Sequence, residues 1–246
     1  MFEARETSPE YLDSPDCDPG LAMASYRFME KVNRSFGGIS NVRRFIRREL
    51  KRLQPGSTLR VLDIGSGSCD IPIAICRWAE SKGYKIHFTC LEIYGPAVAL
   101  SREKIKNSGL DSIEILQEDA FLHQPVAPYD CAVSSMCFHH FKDEDILRLV
   151  GILRGIVKDG VMINDLRRSR LAWLGAFILT YFSHPGVRHD AMQSVSRGFK
   201  VCELRRLLMK LENVSVTVRR AWFFRINAIV EYKNSCRPKN TQKANL

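Results

Sequence analysis

The chain has 246 residues, of which 45% are hydrophobic and 26% charged, and this balance is typical of a globular protein and excludes disordered, collagen-like and coiled-coil architectures. Its longest apolar run, residues 171–182, is shorter than the roughly 20 residues that a membrane-spanning helix needs. The formal net charge of +10 would attract nucleic acid, an anionic membrane or an acidic substrate, although solvated helix faces and a basic tail explain it more simply.

The N-terminal part precedes any sheet pattern. Residues 1–20 contain three prolines and several acidic residues, which predicts a flexible arm. Amphipathic patterns predict helices over residues 21–35 and 39–54, broken by Gly37 and Gly38. Residues 21–56 are therefore expected to form a helical cap.

From residue 57 onward, short apolar runs alternate with helical segments. Strands are predicted at residues 59–64, 85–91, 112–117, 129–135 and 160–166, and helices at 70–82, 96–107 and 143–157. This alternation predicts βαβ units and a parallel sheet. A helix at 200–211 and strands at 214–220 and 223–232 follow, the strands as a hairpin that adds an antiparallel edge. The predicted fold class is a Rossmann-like α/β domain over residues 57–232, with seven mostly parallel strands and an antiparallel last strand.

Two segments lie outside this alternation. Residues 167–197 combine an apolar helix, a Ser-His-Pro-Gly turn and a second helical piece, which predicts a helical insert after the fifth strand that acts as a lid. Residues 233–246 are predicted to be a flexible basic tail. The eight cysteines show no CxxC pair and no zinc-like spacing, so no metal site is expected. Without a signal peptide ahead of them, they are predicted to be reduced thiols of a cytoplasmic protein.

A glycine-rich loop joins the first predicted strand to the next helix. Gly65 and Gly67 would let the backbone approach a nucleotide closely, and Glu92 ends the second strand, where a carboxylate can accept hydrogen bonds from ribose hydroxyls. Asp70 occupies the position of the third glycine in a dinucleotide-binding loop, and an anion there would repel a diphosphate. A cationic cofactor without phosphate suits Asp63 and Asp70 better.

Four segments within residues 59–165 resemble class I S-adenosylmethionine-dependent methyltransferases. VLDIGSGSCD (61–70) resembles the first motif of that family, LEI (91–93) its ribose acid, QEDA (117–120) its adenine-side acid and YDCAVSS (129–135) its fourth strand. Cys69 stands where the family often has a third glycine.

The resemblance implies S-adenosylmethionine (SAM) as cofactor and S-adenosylhomocysteine (SAH) as product. By resemblance, Asp63, Gly65 and Gly67 would line the methionine part, Glu92 would hold the ribose and Asp119 the adenine amine. The full set of implied cofactor-binding residues is Asp63, Gly65, Ser66, Gly67, Asp70, Glu92, Ile93, Asp119, Ala120, Ser134 and Ser135.

Catalysis of methyl transfer to oxygen requires in-line positioning and a base with a pKa near neutrality, a task that suits histidine. His139 and His140 follow the fourth strand, while His184 and His189 lie in the insert. A structural role is the alternative for each of them.

Substrate contacts are expected from the cap and the insert. An apolar run with so many large side chains predicts that some of them cover a pocket, although a plain core helix remains an alternative. Arginine side chains could bind a carboxylate or phenolate through paired donors. The predicted substrate-binding residues are Arg34, Arg167, Trp173, Phe177, Tyr181 and Arg197.

Residues 32–38 (VNRSFGG) and 194–199 (SVSRGF) resemble a bacterial subgroup of small-molecule methyltransferases associated with polyketide or quinone-like metabolism. The leading hypothesis is methyl transfer to an oxygen, or an activated carbon, of a small lipophilic aromatic, polyketide or quinone-type acceptor of secondary metabolism. RNA or protein methylation and a non-catalytic SAM-binding scaffold are the alternatives. Nucleic acid is disfavoured because the chain carries no appended RNA-binding module. A homodimer is one option for its assembly.

Overall fold

The computed structural model describes residues 2–14 and 16–233. Apart from Lys233, the predicted basic tail lies outside these residues, as does Cys236. The helices are α1 (Pro19–Ser35), α2 (Gly38–Leu50), α3 (Asp70–Glu80), α4 (Gly95–Ser108), α5 (Asp143–Ile156), α6 (Arg170–Leu179), α7 (Pro185–Arg197) and α8 (Val201–Leu208). The strands are β1 (Thr58–Ile64), β2 (Lys85–Glu92), β3 (Ile113–Gln117), β4 (Cys131–Ser135), β5 (Gly160–Leu166), β6 (Val214–Ala221) and β7 (Arg225–Tyr232).

The seven strands form one sheet in the order β3-β2-β1-β4-β5-β7-β6. Strands β1 to β5 are parallel, whereas β7 is antiparallel to both of its neighbours. The predicted seven-stranded sheet with an antiparallel last strand is confirmed. The hairpin is arranged differently from a simple edge addition, because β7 inserts between β5 and β6 and leaves β6 at the edge. Every second residue or more of β7 is buried, while β6 is mostly exposed or half-buried, so the more apolar strand takes the inner position.

The core lies on both faces of the sheet. On one face, Leu59 and Val61 of β1 pack with α2 and α3, and on the other, Leu62 and Ile64 pack with α5 and α8. Parallel strands buried on both faces explain why β1 is a continuous apolar run. All the functional loops described below therefore leave the same carboxyl edge of a rigid sheet.

Helix and strand ends differ from the predictions by a few residues. α2 ends at Leu50, α3 at Glu80 and α8 at Leu208, each before the predicted end. β4 begins at Cys131, since Tyr129 forms only an isolated bridge with Val157. The predicted insert forms two helices, α6 and α7, that pack on each other, and α7 also contacts α1. None of the helices in the described part of the chain has both the length and the apolar composition needed to cross a membrane.

The N-terminal residues, for which composition predicts a flexible arm, lie along α7 in this structure. The backbone N–H groups of Tyr11 and Leu12 donate to the Asp190 carboxylate at 2.8 and 3.1 Å. Glu10 is 6% exposed and accepts a hydrogen bond from the Ser194 hydroxyl at 2.8 Å. Polar composition favours disorder in an isolated segment. In this structure, the N-terminal segment instead forms hydrogen bonds with residues of the insert.

Candidate active site

The turn after β1 has an unusual backbone. Gly65, Gly67 and Cys69 all have positive φ, at +65°, +54° and +54°. A Cβ on Gly65 would lie 2.5 Å from Sγ of Cys137, so only glycine fits there. Cys69 adopts the left-handed conformation that a glycine would favour, so the departure from the family motif leaves the turn intact.

Two carboxyl groups adjoin this turn, Asp63, which is buried, and Asp70, which is half-buried. Asp63 is 4% exposed and accepts a hydrogen bond from the Ser66 hydroxyl at 2.7 Å. Burial, reinforced by the nearby Asp70 and Glu92, raises the pKa of Asp63 to about 7. Burial likewise raises the pKa of Asp70 to about 6. Both carboxylates would be stabilised by a cationic ligand.

The next strands bring the other predicted cofactor residues to the same edge. Glu92 accepts from the N–H groups of Gly67 and Tyr94 at 2.9 and 3.0 Å, which fixes it beside the turn. Asp119 accepts from the Phe121 N–H at 2.9 Å just beyond β3, which pairs with β2. The remaining predicted cofactor residues are placed as follows: Ile93 is 68% exposed, Ala120 packs on the core, Ser134 donates to the Ile64 carbonyl, and Ser135 accepts from Asn164.

His139 is the most constrained of the four candidate bases. It is 2% exposed, and its Nδ1 lies 2.7 Å from Oδ1 of Asp165 at the end of β5. Its Nε2 faces Oε1 of Glu10 at 3.5 Å. Burial alone would lower the pKa of His139, but the Asp165 and Glu10 carboxylates outweigh it and raise this pKa to about 9.

His140 and Arg197 are tied to the same cluster. His140 Nδ1 lies 2.8 Å from Asp13, and its ring centroid is 4.2 Å from that of His139. Arg197 donates to Asp13 at 2.6 Å and to the His140 carbonyl at 3.0 Å, so the structure uses this predicted substrate residue to hold the N-terminal segment. Glu10, His139 and His140 offer three potential metal-ligand atoms within 4.8 Å of one another.

The two histidines of the insert lie apart from this cluster. His184 caps α7, since its Nδ1 accepts from the Gly186 N–H at 3.1 Å. His189 lies 3.0 Å from Asp190, and its ring lies tilted against that of Tyr11 with centroids 4.3 Å apart; 45% of its side chain is exposed. Both are accounted for by local structural contacts.

An apolar cavity of about 960 Å³, open mouth included, lies among α1, α6, α7 and the β6–β7 turn. Its walls include Met29, Val32, Met136, Leu166 and Phe224. Glu10, Ser25, Asp190, Ser194 and Arg225 supply its polar groups. Met136 and Leu166 directly follow or end β4 and β5, so the cavity adjoins the edge that carries the glycine turn.

The predicted aromatic residues of the insert do not line this cavity. The rings of Trp173 and Phe177 stack along α6 with centroids 6.3 Å apart, and Tyr181, just beyond the helix, meets Phe177 edge to face at 5.8 Å. The residues of α6 that do line the cavity are small or aliphatic, namely Ala172, Gly175, Ala176 and Leu179. An apolar run that covers every face of a helix does not reveal which face meets the ligand.

The other predicted arginines also lie off the cavity. Arg34 is exposed and lines a separate, polar hollow beside Asp70. Arg167 places its guanidinium over the ring of Phe224, 5.3 Å from the centroid, and Phe224 rather than Arg167 lines the cavity.

Sequence reasoning missed Glu10, Asp165, Arg225 and Tyr26. Glu10 belongs to a segment whose composition suggests disorder, and Arg225 starts a strand that carries no motif. Tyr26 on α1 covers the turn, since a Cβ on Gly67 would lie 3.4 Å from its ring. Asp165 could have been found, because β5 ends at the same sheet edge as β4, next to the candidate histidines.

Comparisons with known proteins give similarities to methyltransferases. Residues 61–160 match a family model described as "Methyltransferase domain". A search of curated proteins gives no match. The structure is similar to that of the plantazolicin methyltransferase BamL in complex with a triazolic desmethylPZN analogue and SAH, with a TM-score of 0.68, 16% identity, and coverage of 91% of this chain and 93% of that chain.

Two further solved structures are similar as well. Magnesium protoporphyrin IX methyltransferase (ChlM) from Synechocystis PCC 6803 with bound SAH has a TM-score of 0.56 at 13% identity, over 80% of this chain and 82% of that chain. A putative O-methyltransferase from Nostoc punctiforme PCC 73102 has a TM-score of 0.55 at 14% identity, over 83% of this chain and 60% of that chain. At sequence identities of 13%, 16% and 14%, these similarities are evidence for a shared fold alone.

Proposed function

We propose that this chain, which is a class I S-adenosylmethionine-dependent methyltransferase, transfers its methyl group to an oxygen of a small lipophilic acceptor of the aromatic, polyketide or quinone type. An activated carbon is the second candidate acceptor atom. The observation that carries the proposal is the apolar cavity, which adjoins the cofactor turn and has only a few polar groups in its wall. The similar folds of methyltransferases named for plantazolicin and magnesium protoporphyrin IX support an acceptor of small-molecule type.

SAM is the cofactor and SAH the product. The residues around the turn fit it, because a cation would stabilise the ionised forms of Asp63 and Asp70, and Gly65 leaves the space that any Cβ would fill. When bound, the cofactor supplies an electrophilic methyl group, so the chain itself needs only to orient the acceptor and remove a proton. We assign the ribose to Glu92 and the adenine to Asp119.

Proton removal is assigned to the cluster of His139, Glu10 and Asp165. Glu10 lines the cavity, and its carboxylate lies 3.5 Å from Nε2 of His139. The hydroxyl proton of the acceptor would pass by way of Glu10 to the neutral imidazole, while Asp165 holds Nδ1 and stabilises the imidazolium that forms. His140, His184 and His189 keep structural roles in this scheme, and no metal takes part in it.

An RNA or protein acceptor suits the cavity less well, because its walls are mostly apolar and Arg225 is the single basic residue among the described residues that line it. We place the enzyme in the cytoplasm and in secondary metabolism. The thiols of the described residues are all free, which supports a reducing compartment.

The test is SAH formation measured by mass spectrometry, with purified protein, SAM and one acceptor class at a time. Alkylated phenols and reduced quinones should yield SAH, whereas total RNA and unfolded protein should not. SAH formation only with RNA or protein would contradict the proposal, and SAM binding without turnover on any acceptor would favour a scaffold.

The variant Glu10→Gln tests whether this cavity residue takes part in proton removal. It should lower turnover at least tenfold, as expected for a group that takes part in proton transfer, and leave SAH affinity unchanged by calorimetry. Glu6→Gln is the matched control, since Glu6 is exposed in the same segment. Equal turnover in the two variants would remove Glu10 from the reaction.

A further inference from the structure

Two polar atoms near the cofactor turn have no hydrogen-bond partner among the described residues, and they belong to side chains of opposite charge. One is Nη1 of Arg225, a side chain with 0% exposure. The other is Oδ2 of Asp70, the first residue of α3. A buried polar group without a partner costs free energy, so each atom is set for a partner from outside the chain.

A single amide joins these two side chains. Nη2 of Arg225 donates to Oδ1 of Asn33 at 3.1 Å, and Nδ2 of Asn33 donates to Oδ1 of Asp70 at 3.3 Å. Nε of Arg225 donates to the Phe36 carbonyl at 3.2 Å, which fixes the guanidinium at the end of α1. The free donor and the free acceptor are therefore held on the two sides of one side-chain amide.

The charges of the two groups persist at neutral pH. Burial lowers the pKa of Arg225, opposed by the nearby Asp165 and Asp70, but only to about 10. Asp70, with a pKa of about 6, is ionised at pH 7. A ligand that fills both positions must present an anion and a cation a short distance apart, and the α-carbon of an amino acid carries such a pair.

We propose that Arg225 and Asp70, bridged by Asn33, form a clamp for the amino-acid end of the cofactor. Arg225 binds the α-carboxylate and Asp70 binds the α-ammonium group. Arg225 also borders the acceptor cavity, so the clamp fixes one end of the cofactor at the boundary between the two sites. The clamp rests on the proposed use of SAM, and because it concerns the cofactor alone it is independent of the proposed acceptor.

The test compares two ligands by calorimetry. SAH carries the amino-acid end, and 5′-methylthioadenosine lacks it. Arg225→Met should weaken SAH binding at least tenfold, the loss expected for a charge-assisted hydrogen bond, and change methylthioadenosine binding by less than about threefold. Arg219→Met is the control, since Arg219 is exposed on β6, and it should change neither affinity.

Several outcomes would overturn the clamp. Equal losses for both ligands would mean that Arg225 only supports α1, and unchanged SAH affinity with a raised KM for the acceptor would assign Arg225 to the acceptor instead. If Arg225→Met binds neither ligand, Arg225→Lys, which keeps the buried charge, decides the question. It should weaken SAH but not the decarboxylated analogue of SAH, and equal effects on these two ligands would refute carboxylate recognition.

Discussion

Oδ1 of Asp165 lies 2.7 Å from Nδ1 of His139, and Oδ2 of the same carboxylate accepts the His139 backbone N–H at 3.1 Å. The carboxylate thus fixes both the ring and the backbone of His139. Because a carboxylate only accepts, Nδ1 carries the proton and Nε2 faces Glu10. The same contact holds the pKa of His139 at about 9, against the effect of burial.

The pH dependence of turnover follows from that pKa. An imidazolium cannot accept a proton, so only the neutral form of His139 can act, and it becomes dominant above about pH 9. We expect turnover with a phenolic acceptor to rise between pH 7 and 9 and to level off above it. Asp165→Asn removes the negative charge, lowers the pKa of His139 and should move the midpoint down by at least about one pH unit, with a lower plateau.

The control for this profile is Asp143→Asn. Asp143 pairs with Arg5 at 2.7 Å but has 63% of its side chain exposed, and screened surface pairs contribute little. Its profile should coincide with that of the wild type. A wild-type profile that is flat from pH 6 to 10 would exclude His139 as the base.

Cofactor affinity should depend on pH through Asp63 and Asp70. The pKa values of their carboxyl groups are about 7 and about 6 in the free protein, and a bound cation would lower them. Binding then releases protons, so SAM affinity should increase about tenfold from pH 6 to pH 8. Calorimetry in buffers of different ionisation enthalpy measures the released proton directly. Asp63→Asn should flatten most of this dependence, and a wild-type affinity that does not vary with pH would contradict the assignment.

The sheet and the cofactor turn could be predicted because their determinants are local. The apolar run of β1, the glycines after it and the acid at the end of β2 each lie within one short segment. Glu10, a member of the proposed proton-transfer cluster, could not be predicted, since it comes from a segment far from His139 and Asp165 in the sequence. The bond from Tyr11 to Asp190, which holds Glu10 in place, joins residues 179 positions apart. Nothing in the acidic N-terminal segment indicates the partner that orders it.

Helix α6, part of the predicted lid, allows a test of the proposed acceptor cavity. Ala176 of α6 faces the cavity, whereas Ile178 on the same helix is 63% exposed. Ala176→Phe should fill part of the cavity and raise the KM for bulky acceptors at least tenfold, with SAH affinity unchanged. Ile178→Phe adds a similar ring on the outer face and should leave the KM as it is. An increased KM in both variants would point to a general disturbance of α6.

The cluster at His139 is expected to act without a metal ion. The guanidinium of Arg197 lies 3.8 Å from Oε1 of Glu10, and Arg5 donates to the His139 carbonyl at 3.1 Å. These fixed positive charges oppose a bound cation. Turnover should therefore be unchanged after treatment with EDTA, and elemental analysis of the purified protein should find less than one transition metal per chain. Loss of turnover with EDTA and recovery with zinc would reverse this assignment.

Gly65 is constrained in two ways, by its positive φ and by the short distance to Cys137, and the two effects can be measured separately. Gly56 and Gly65 both have positive φ, at +82° and +65°, but a Cβ on Gly56 would meet nothing within 4 Å. Gly56→Ala should therefore cost about 1–2 kcal/mol of stability, the left-handed penalty alone. Gly65→Ala adds a Cβ 2.5 Å from Sγ and 2.8 Å from Cβ of Cys137, so it should lower Tm further and weaken SAH binding. Cys137→Gly in the same chain removes both contacts and should restore part of that extra loss in thermal unfolding. Equal Tm values for the two alanine variants would show that the loop after β4 moves to accommodate the added Cβ, so that the turn does not need glycine for steric reasons.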